Sequence, residues 1–146
     1  MIRIFVDANV LFAAADSETG ASRQIIQLGL RGQVQLVVSE LVIEEARRNL
    51  AGYKPTAVEA LQEFVAATPF HYTNPTKRQV QTAATYTALK DAPIVAGAKA
   101  SKVDYLVTLD RKHLIRHRQE IERRSGVKIL LPEELLPMLR KGGEIQ

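Results

Sequence analysis

The chain has 146 residues, of which 46% are hydrophobic, and a formal net charge of +4 at pH 7. This length is that of one ordinary domain, and the absence of cysteine excludes disulfides, iron–sulfur clusters and thiolate zinc sites. No apolar run approaches the length of a membrane span and the first residues lack the pattern of a secretion signal, which together predict a cytoplasmic protein without membrane contact.

The positive charge is concentrated in the second half of the chain. Residues 1–76 carry six Lys and Arg against eight Asp and Glu, whereas residues 77–146 carry fourteen against eight. The densest basic stretch runs from 111 to 128, and basic clusters of this kind attract polyanions. We predict that Arg111, Lys112 and Arg116 contact a nucleic-acid backbone, and the alternative is that the stretch is only a solvated helix face.

Short apolar runs and amphipathic segments alternate along the chain. The apolar runs predict strands at 2–6, 34–38, 69–73, 104–109 and 127–131. The amphipathic segments predict helices at 22–30, 40–50, 55–67, 76–89, from 91, at 111–124 and at 132–139. Such alternation predicts a three-layer α/β/α sandwich around a mainly parallel sheet of four or five strands. We expect a single domain over residues 1–140, followed by a frayed tail at 141–146.

Acidic residues cluster where the predicted strands end. Asp7 directly follows the first strand, Asp110 follows the strand at 104–109, Glu44 and Glu45 lie on the helix after the second strand, and Asp91 begins a helix. Ligands of open parallel sheets bind outside the carboxyl ends of the strands, so these acids can meet at one edge. Each acid alone could be a cap or turn residue. Together they would repel one another unless a cation neutralised them, and an all-oxygen ligand set suits Mg²⁺ or Mn²⁺.

Four segments carry a resemblance to a known family. VDANVL at 6–11, SELVIEEARRNL at 39–50, DAPIVAGAKASKVDYLVTLD at 91–110 and VKILLPEELL at 127–136 resemble the PIN domain, particularly the stand-alone VapC-like toxins of toxin–antitoxin pairs. The resemblance implies a metal-dependent endoribonuclease, with RNA as substrate, Mg²⁺ or Mn²⁺ as cofactor, a cognate antitoxin as partner and a homodimeric assembly. The implied residues are a catalytic and metal-binding quartet of Asp7, Glu45, Asp91 and Asp110, supported by Asn9 and Thr108.

Three further positions bear on how this chain fits the family pattern. Glu45 is preferred over Glu44 because the family pattern places an acid five residues before a leucine, and Leu50 satisfies that spacing for Glu45. Many relatives have glycine between the Thr and Asp of the third motif, where this chain has Leu109. Asp104 precedes its strand and so lies at the opposite end of the sheet, which predicts a structural role.

Other functions are open to the same residues. His113 and His117 have helical spacing, but neighbouring arginines repel a cation, so we expect phosphate contact or simple exposure in place of a zinc site. A haloacid-dehalogenase-type phosphatase also places Asp after its first strand, yet it requires a second Asp two residues later, where this chain has Asn9. A catalytically silent RNA-binding protein with the PIN fold is the non-enzymatic alternative.

Overall fold

A computed structural model describes residues 1–143 of the chain. Its strands are β1 Arg3–Val6, β2 Gln35–Val38, β3 His71–Tyr72, β4 Tyr105–Val107 and β5 Ile129–Leu130. Its helices are α1 Ala8–Asp16, α2 Ala21–Leu30, α3 Glu40–Tyr53, α4 Thr56–Ala67, α5 Lys77–Ala83, α6 Ala92–Ala100, α7 Arg118–Ser125 and α8 Pro132–Lys141.

The five strands form one sheet in the order β3-β2-β1-β4-β5, and every pairing is parallel. The predicted α/β sandwich with a parallel sheet is therefore confirmed. Helices α2, α3 and α4 contact α1, and α8 contacts α2, whereas α5 contacts α6. Right-handed crossovers place α1 to α4 on one face of the sheet and α5, α6 and α7 on the other. Helix α8, which follows the last strand, packs on α2 and so lies with the first group.

The core is centred on β1, whose position between β2 and β4 covers it on both edges. Ile4, Phe5 and Val6 are fully buried, as expected for the middle strand of a sheet covered on both faces. The Phe5 ring packs directly on α6 at Gly97, where an added Cβ would lie 3.0 Å from the ring atom Cε2. Only a glycine gives this helix such a close approach to the strand.

Three local predictions differ from the structure. Helix α1 was not predicted, because its apolar residues, in the sequence ANVLFAAAD, lie on too much of the helix surface to show a helical period. The helix predicted at 76–89 ends at Ala83, and a short 3₁₀ turn, Leu89–Asp91, precedes α6. The basic helix predicted at 111–124 is divided into a single π turn, Arg111–Ile115, and α7.

The tail predicted at 141–146 is only partly within the described residues. Helix α8 runs to Lys141, and residues 144–146 of the tail predicted at 141–146 lie outside the described residues. Within the described part of the chain, no helix combines the length and the apolar character needed to cross a membrane.

Candidate functional site

A cavity of about 330 Å³ opens at the carboxyl end of β1. The residues that line it are contributed by α1, α3, the start of α6 and the segment after β4: Asp7, Ala8, Asn9, Glu45, Asn49, Lys90, Asp91, Ile94 and Asp110. The structure thus brings all four predicted acids together around one space, together with Asn9. Their role as metal ligands stays a prediction.

Asp7 is held by a compact hydrogen-bond network. Its Oδ1 accepts a hydrogen bond from the backbone N–H of Ala8 at 2.7 Å, which caps α1, and its Oδ2 accepts one from the Thr108 hydroxyl at 2.8 Å. The Asn9 amide donates to Asp7 Oδ2 at 3.4 Å and to Thr108 Oγ1 at 3.3 Å. The carboxylate of Asp7 therefore has one orientation, and the two residues predicted to support it both contact it.

Asp110 joins this network through the backbone and extends it to a histidine. Its N–H donates to Thr108 Oγ1 at 3.0 Å, and its Oδ1 accepts the N–H of His113 at 3.0 Å. The ring nitrogen Nδ1 of His113 lies 3.5 Å from the same Oδ1, and Lys90 Nζ lies 4.0 Å from Oδ2. These contacts fix Asp110 at the start of the π turn, where it lines the cavity.

Asp91 differs from a simple cap residue. It precedes α6, yet its side chain makes no capping hydrogen bond there, and its buried Oδ2 has no hydrogen-bond partner among the described residues. One potential ligand atom each from Asp91, Asp110 and His113 lies within 4.8 Å of the others. An unpaired oxygen of this kind is costly to bury unless a ligand or ion completes its coordination.

The two adjacent glutamates of α3 point in different directions. Glu45 is half-buried and lines the cavity, whereas Glu44 is exposed and forms a salt bridge with Arg47 at 2.5 Å. Hydrogen bonding to Arg47 lowers the pKa of Glu44. Neighbouring helical residues are rotated by about 100°, so only one of the pair can face the cavity.

Burial and crowding disfavour the ionised forms of two site carboxyls. Burial raises the pKa of Asp7 from its ordinary value of 3.8 to about 6, against the opposing hydrogen bonds from Thr108 and Ala8, and the nearby Glu45 and Asp91 add to the rise. The pKa of Asp91 is raised first by burial and then by the charge of Asp110. A bound cation would reverse both effects by favouring the charged carboxylates.

The raised pKa of Asp7 predicts a pH-dependent stability for the metal-free protein. Between about pH 4 and about pH 6 the folded state binds more protons than the unfolded state, so the free energy of unfolding falls as pH rises through this window. The Asp7→Asn variant lacks this term, so its stability relative to the wild type should rise by about 2 kcal/mol between about pH 4.5 and about pH 7.5. Urea unfolding in EDTA at both pH values measures it, and a difference that stayed constant would contradict the assignment.

Four residues that line the cavity were not among the predicted site residues, namely Ala8, Asn49, Lys90 and Ile94. Asn49 follows Glu45 by four residues on α3, a spacing that places both on one helix face and that the sequence did show. Lys90 and Ile94 flank the start of α6. The sequence predicted phosphate contact or exposure for His113 and His117. His113 is half-buried beside Asp110 and His117 is exposed, and contact of either with phosphate stays a prediction.

The predicted nucleic-acid contacts lie on the surface, and the first two of them directly follow Asp110 in the chain. Arg111, Lys112 and Arg116 are all exposed, and Arg111 forms a salt bridge with Glu133 at 3.5 Å. Their contact with a nucleic acid stays a prediction. Farther along the basic stretch, Arg118 pairs with Glu134 at 2.8 Å and Arg123 pairs with Glu120 at 2.6 Å, which occupies both arginines in the fold.

Asp104 lies at the opposite end of the sheet from the cavity. Its Oδ2 accepts the backbone N–H of Arg3 at 2.8 Å, so it joins the entry of β4 to β1. It takes no part in lining the acidic cavity. This placement is the one that its position before the strand predicted.

Comparison with known proteins adds a family and a set of similar folds. The family model described as PIN domain matches residues 3–112. That range includes every residue lining the acidic cavity. Among curated protein sequences, no significant match was found.

Several solved structures share the fold. PAE2754 from Pyrobaculum aerophilum is 21% identical with a TM-score of 0.65, and the alignment covers 96% of each chain. VapBC2 from Rickettsia felis is 13% identical with a TM-score of 0.63, and the alignment covers 89% of this chain and 98% of that one. That structure is bound to a DNA fragment from the VapBC2 promoter. FitAcB from Neisseria gonorrhoeae is 17% identical with a TM-score of 0.60, and the alignment covers 90% of this chain and 99% of that one. At these identities the similarity establishes the fold.

Proposed function

The chain belongs to the PIN-domain family, and on that basis we propose that it is a metal-dependent endoribonuclease that hydrolyses RNA phosphodiester bonds. The observation that carries the proposal is the convergence of Asp7, Glu45, Asp91 and Asp110 on one cavity at the carboxyl edge of the sheet. Acidic sites of this composition suit phosphoryl chemistry, because divalent ions that bind carboxylates also bind phosphate oxygens.

The residues present fit a divalent cation. The buried Oδ2 of Asp91 lacks a partner among the described residues, and burial together with neighbouring acids raises the pKa of Asp7. Both features are unfavourable in the bare protein and are relieved by a cation. Four carboxylates line the cavity, those of Asp7, Glu45, Asp91 and Asp110. The His113 ring forms a group of three potential ligands with Asp91 and Asp110. A set dominated by carboxylate oxygens favours Mg²⁺ or Mn²⁺.

The chain's own groups orient the site. Thr108 and the Ala8 amide hold Asp7, and the N–H of His113 holds Asp110. Lys90 places an ammonium group at the rim, where it can attract a phosphate oxygen of the bound strand. When bound, Mg²⁺ or Mn²⁺ supplies Lewis-acid activation of water and neutralises charge developing on the phosphodiester.

The direct test is cleavage of a mixed, structured RNA pool by the purified protein in Mn²⁺, in Mg²⁺ and in EDTA. We expect cleavage with either ion and none in EDTA. Binding of the RNA without cleavage under all three conditions would favour the catalytically silent RNA-binding alternative. Cleavage that persists in EDTA would contradict the metal dependence.

Glu45 is predicted to be the site glutamate. The Glu45→Gln variant should lower metal-dependent cleavage about tenfold to a hundredfold, because it removes one charge from the cation site. Glu44→Gln is the matched control; it should stay within about twofold of the wild type, because Glu44 is exposed and paired with Arg47. Initial cleavage rates at saturating Mn²⁺ measure both, and the reverse order of effects would reassign the ligand.

We further propose that the protein is the toxin of a toxin–antitoxin pair and forms a homodimer. The support is the VapC-like sequence resemblance together with the fold similarity to VapBC2 and FitAcB. Arg111, Lys112 and Arg116 would contact the RNA beside the acidic cavity. Light scattering of the purified chain tests the dimer, and loss of cleavage on coexpression with an adjacent small gene for a DNA-binding protein tests the pairing.

A further inference from the structure

A second cavity, of about 610 Å³, lies between α5 and α6 and is separate from the acidic cavity. Three of the residues that line it are cations, namely Arg78, Lys99 and Lys102, and none of its lining residues in the described chain carries a carboxylate. None of the three cations forms a salt bridge within residues 1–143. The cavity is therefore a concentration of positive charge that the fold itself does not neutralise.

Lys102 occupies a backbone position that normally belongs to glycine. Its φ is +53°, and within residues 1–143 it is the one residue other than glycine in the left-handed region. It follows the end of α6, where its N–H donates to Lys99 O at 3.1 Å and the N–H of Val103 donates to Ala98 O at 3.4 Å. Glycine is the usual residue at this position after a helix, since a Cβ is unfavourable there. The lysine contributes no advantage to the turn, but it does place a cation in the cavity.

A path leads from this cavity to the acidic site. Tyr86 lines the cationic cavity and also a neighbouring hollow of about 420 Å³ that is lined by His113 and His117. His113 lies 3.5 Å from Asp110, which lines the acidic cavity. The order along the surface is therefore acidic cavity, histidine hollow, Tyr86 and cationic cavity.

We propose that this path is a track for single-stranded RNA, in which the cationic cavity binds backbone phosphates and a base stacks on the Tyr86 ring, on the face away from the Arg124 guanidinium that lies 5.2 Å from the ring centroid. The proposal rests on the ribonuclease function proposed above, because the other end of the track is the acidic site. Unpaired cations along a groove with an aromatic ring are the combination that binds single strands without sequence preference. Gln79 adds a side-chain amide that can donate hydrogen bonds to phosphate or sugar oxygens.

The substitution Lys102→Gly separates this role from a structural one. Because glycine adopts a φ of +53° without steric strain, the variant should have the same melting temperature as the wild type or a higher one. Its affinity for a short fluorescent single-stranded RNA, measured by anisotropy in EDTA over a range of KCl concentrations, should fall about fourfold near 0.15 M salt. The slope of log affinity against log salt should become shallower by about 0.7.

Two further variants complete the binding experiment. Lys99→Gln removes a second cavity cation and should weaken binding by a similar factor, which keeps the test valid if Lys102→Gly alters the fold. Arg31→Gln is the control for net charge, because Arg31 is exposed at the end of α2 on the other face of the sheet, and its affinity should match the wild type. Wild-type affinity and salt slope in both cavity variants would overturn the proposal.

Cleavage kinetics distinguish this proposal from the proposed function. With a long RNA in Mn²⁺, Lys102→Gly should raise KM with kcat unchanged, and with a dinucleotide too short to reach the cavity it should match the wild type. If no RNA is cleaved at all but the cavity variants bind RNA more weakly than the wild type does, the nuclease function fails and the track stands. If metal-dependent cleavage is present and the KM for long RNA is unchanged, the track fails alone.

Discussion

The Asp7→Asn variant is expected to lose metal-dependent RNA cleavage by about a hundredfold or more. Asp7 is the most enclosed of the four acids, and its carboxylate is oriented by Thr108 and the Ala8 amide, so an amide at this position removes a fixed negative charge from the cation site. A loss of a few kcal/mol of transition-state stabilisation corresponds to this factor. The rate is measured on the RNA pool in Mn²⁺ with both proteins prepared identically.

Asp104→Asn is the matched control for this experiment. It makes the same chemical change at the opposite end of the sheet, and an amide oxygen can still accept the N–H of Arg3. Its cleavage rate should equal that of the wild type. Equal activity of Asp7→Asn and Asp104→Asn would show either that the site is misassigned or that a contaminating ribonuclease cleaves the RNA.

The Phe5→Ala variant is expected to lose about 3–5 kcal/mol of the free energy of unfolding. Phe5 is fully buried in the central strand, and its ring fills the space above Gly97, where α6 has no side chain to move into the cavity that the substitution leaves. Domains of this kind have only about 5–15 kcal/mol of stability in total, so the variant should be close to unfolding. Urea unfolding followed by circular dichroism measures the change.

Phe12→Ala is the control for losing an aromatic ring. Phe12 is half-buried on α1 and contacts Tyr53 at a ring-centroid distance of 5.5 Å, so the variant removes a ring that is already partly in water. Its loss of stability should be clearly smaller than that of Phe5→Ala. Equal losses would mean that burial against Gly97 is not what makes Phe5 important.

The two cavities make separable contributions to the proposed activity. Substitutions of the acids act on the cleavage step, because these residues surround the reacting phosphate in the proposal. Substitutions of the cations at the cavity between α5 and α6 act on the affinity for long RNA and on its salt dependence. A comparison of kcat and KM across both sets of variants therefore tests the division of roles within one protein.

The architecture and the edge at which the acids meet could both be predicted from the amino-acid sequence. Apolar runs of four or five residues separated by amphipathic segments predict parallel strands with helical crossovers, and these signals are local. Asp7 and Asp110 follow their strands directly in the chain, so their position at the carboxyl edge depended on topology and not on detailed packing. The PIN-domain resemblance was visible in the same segments.

The details of the site could not be predicted in this way, because they depend on which groups become neighbours when the helices pack on the sheet. The burial that raises the pKa of Asp7 exists only in the folded chain, where α1, which Asp7 caps, packs against α3. Lys90 lies beside Asp110 although it is 20 residues away in the chain, and His113 lies beside it within a π turn in a segment that has an ordinary helical pattern. The cationic cavity likewise exists only because α5 packs on α6, which brings Arg78 close to Lys102 although they are distant in the chain. Local periodicity carries no information about such contacts, since they form only when the elements pack.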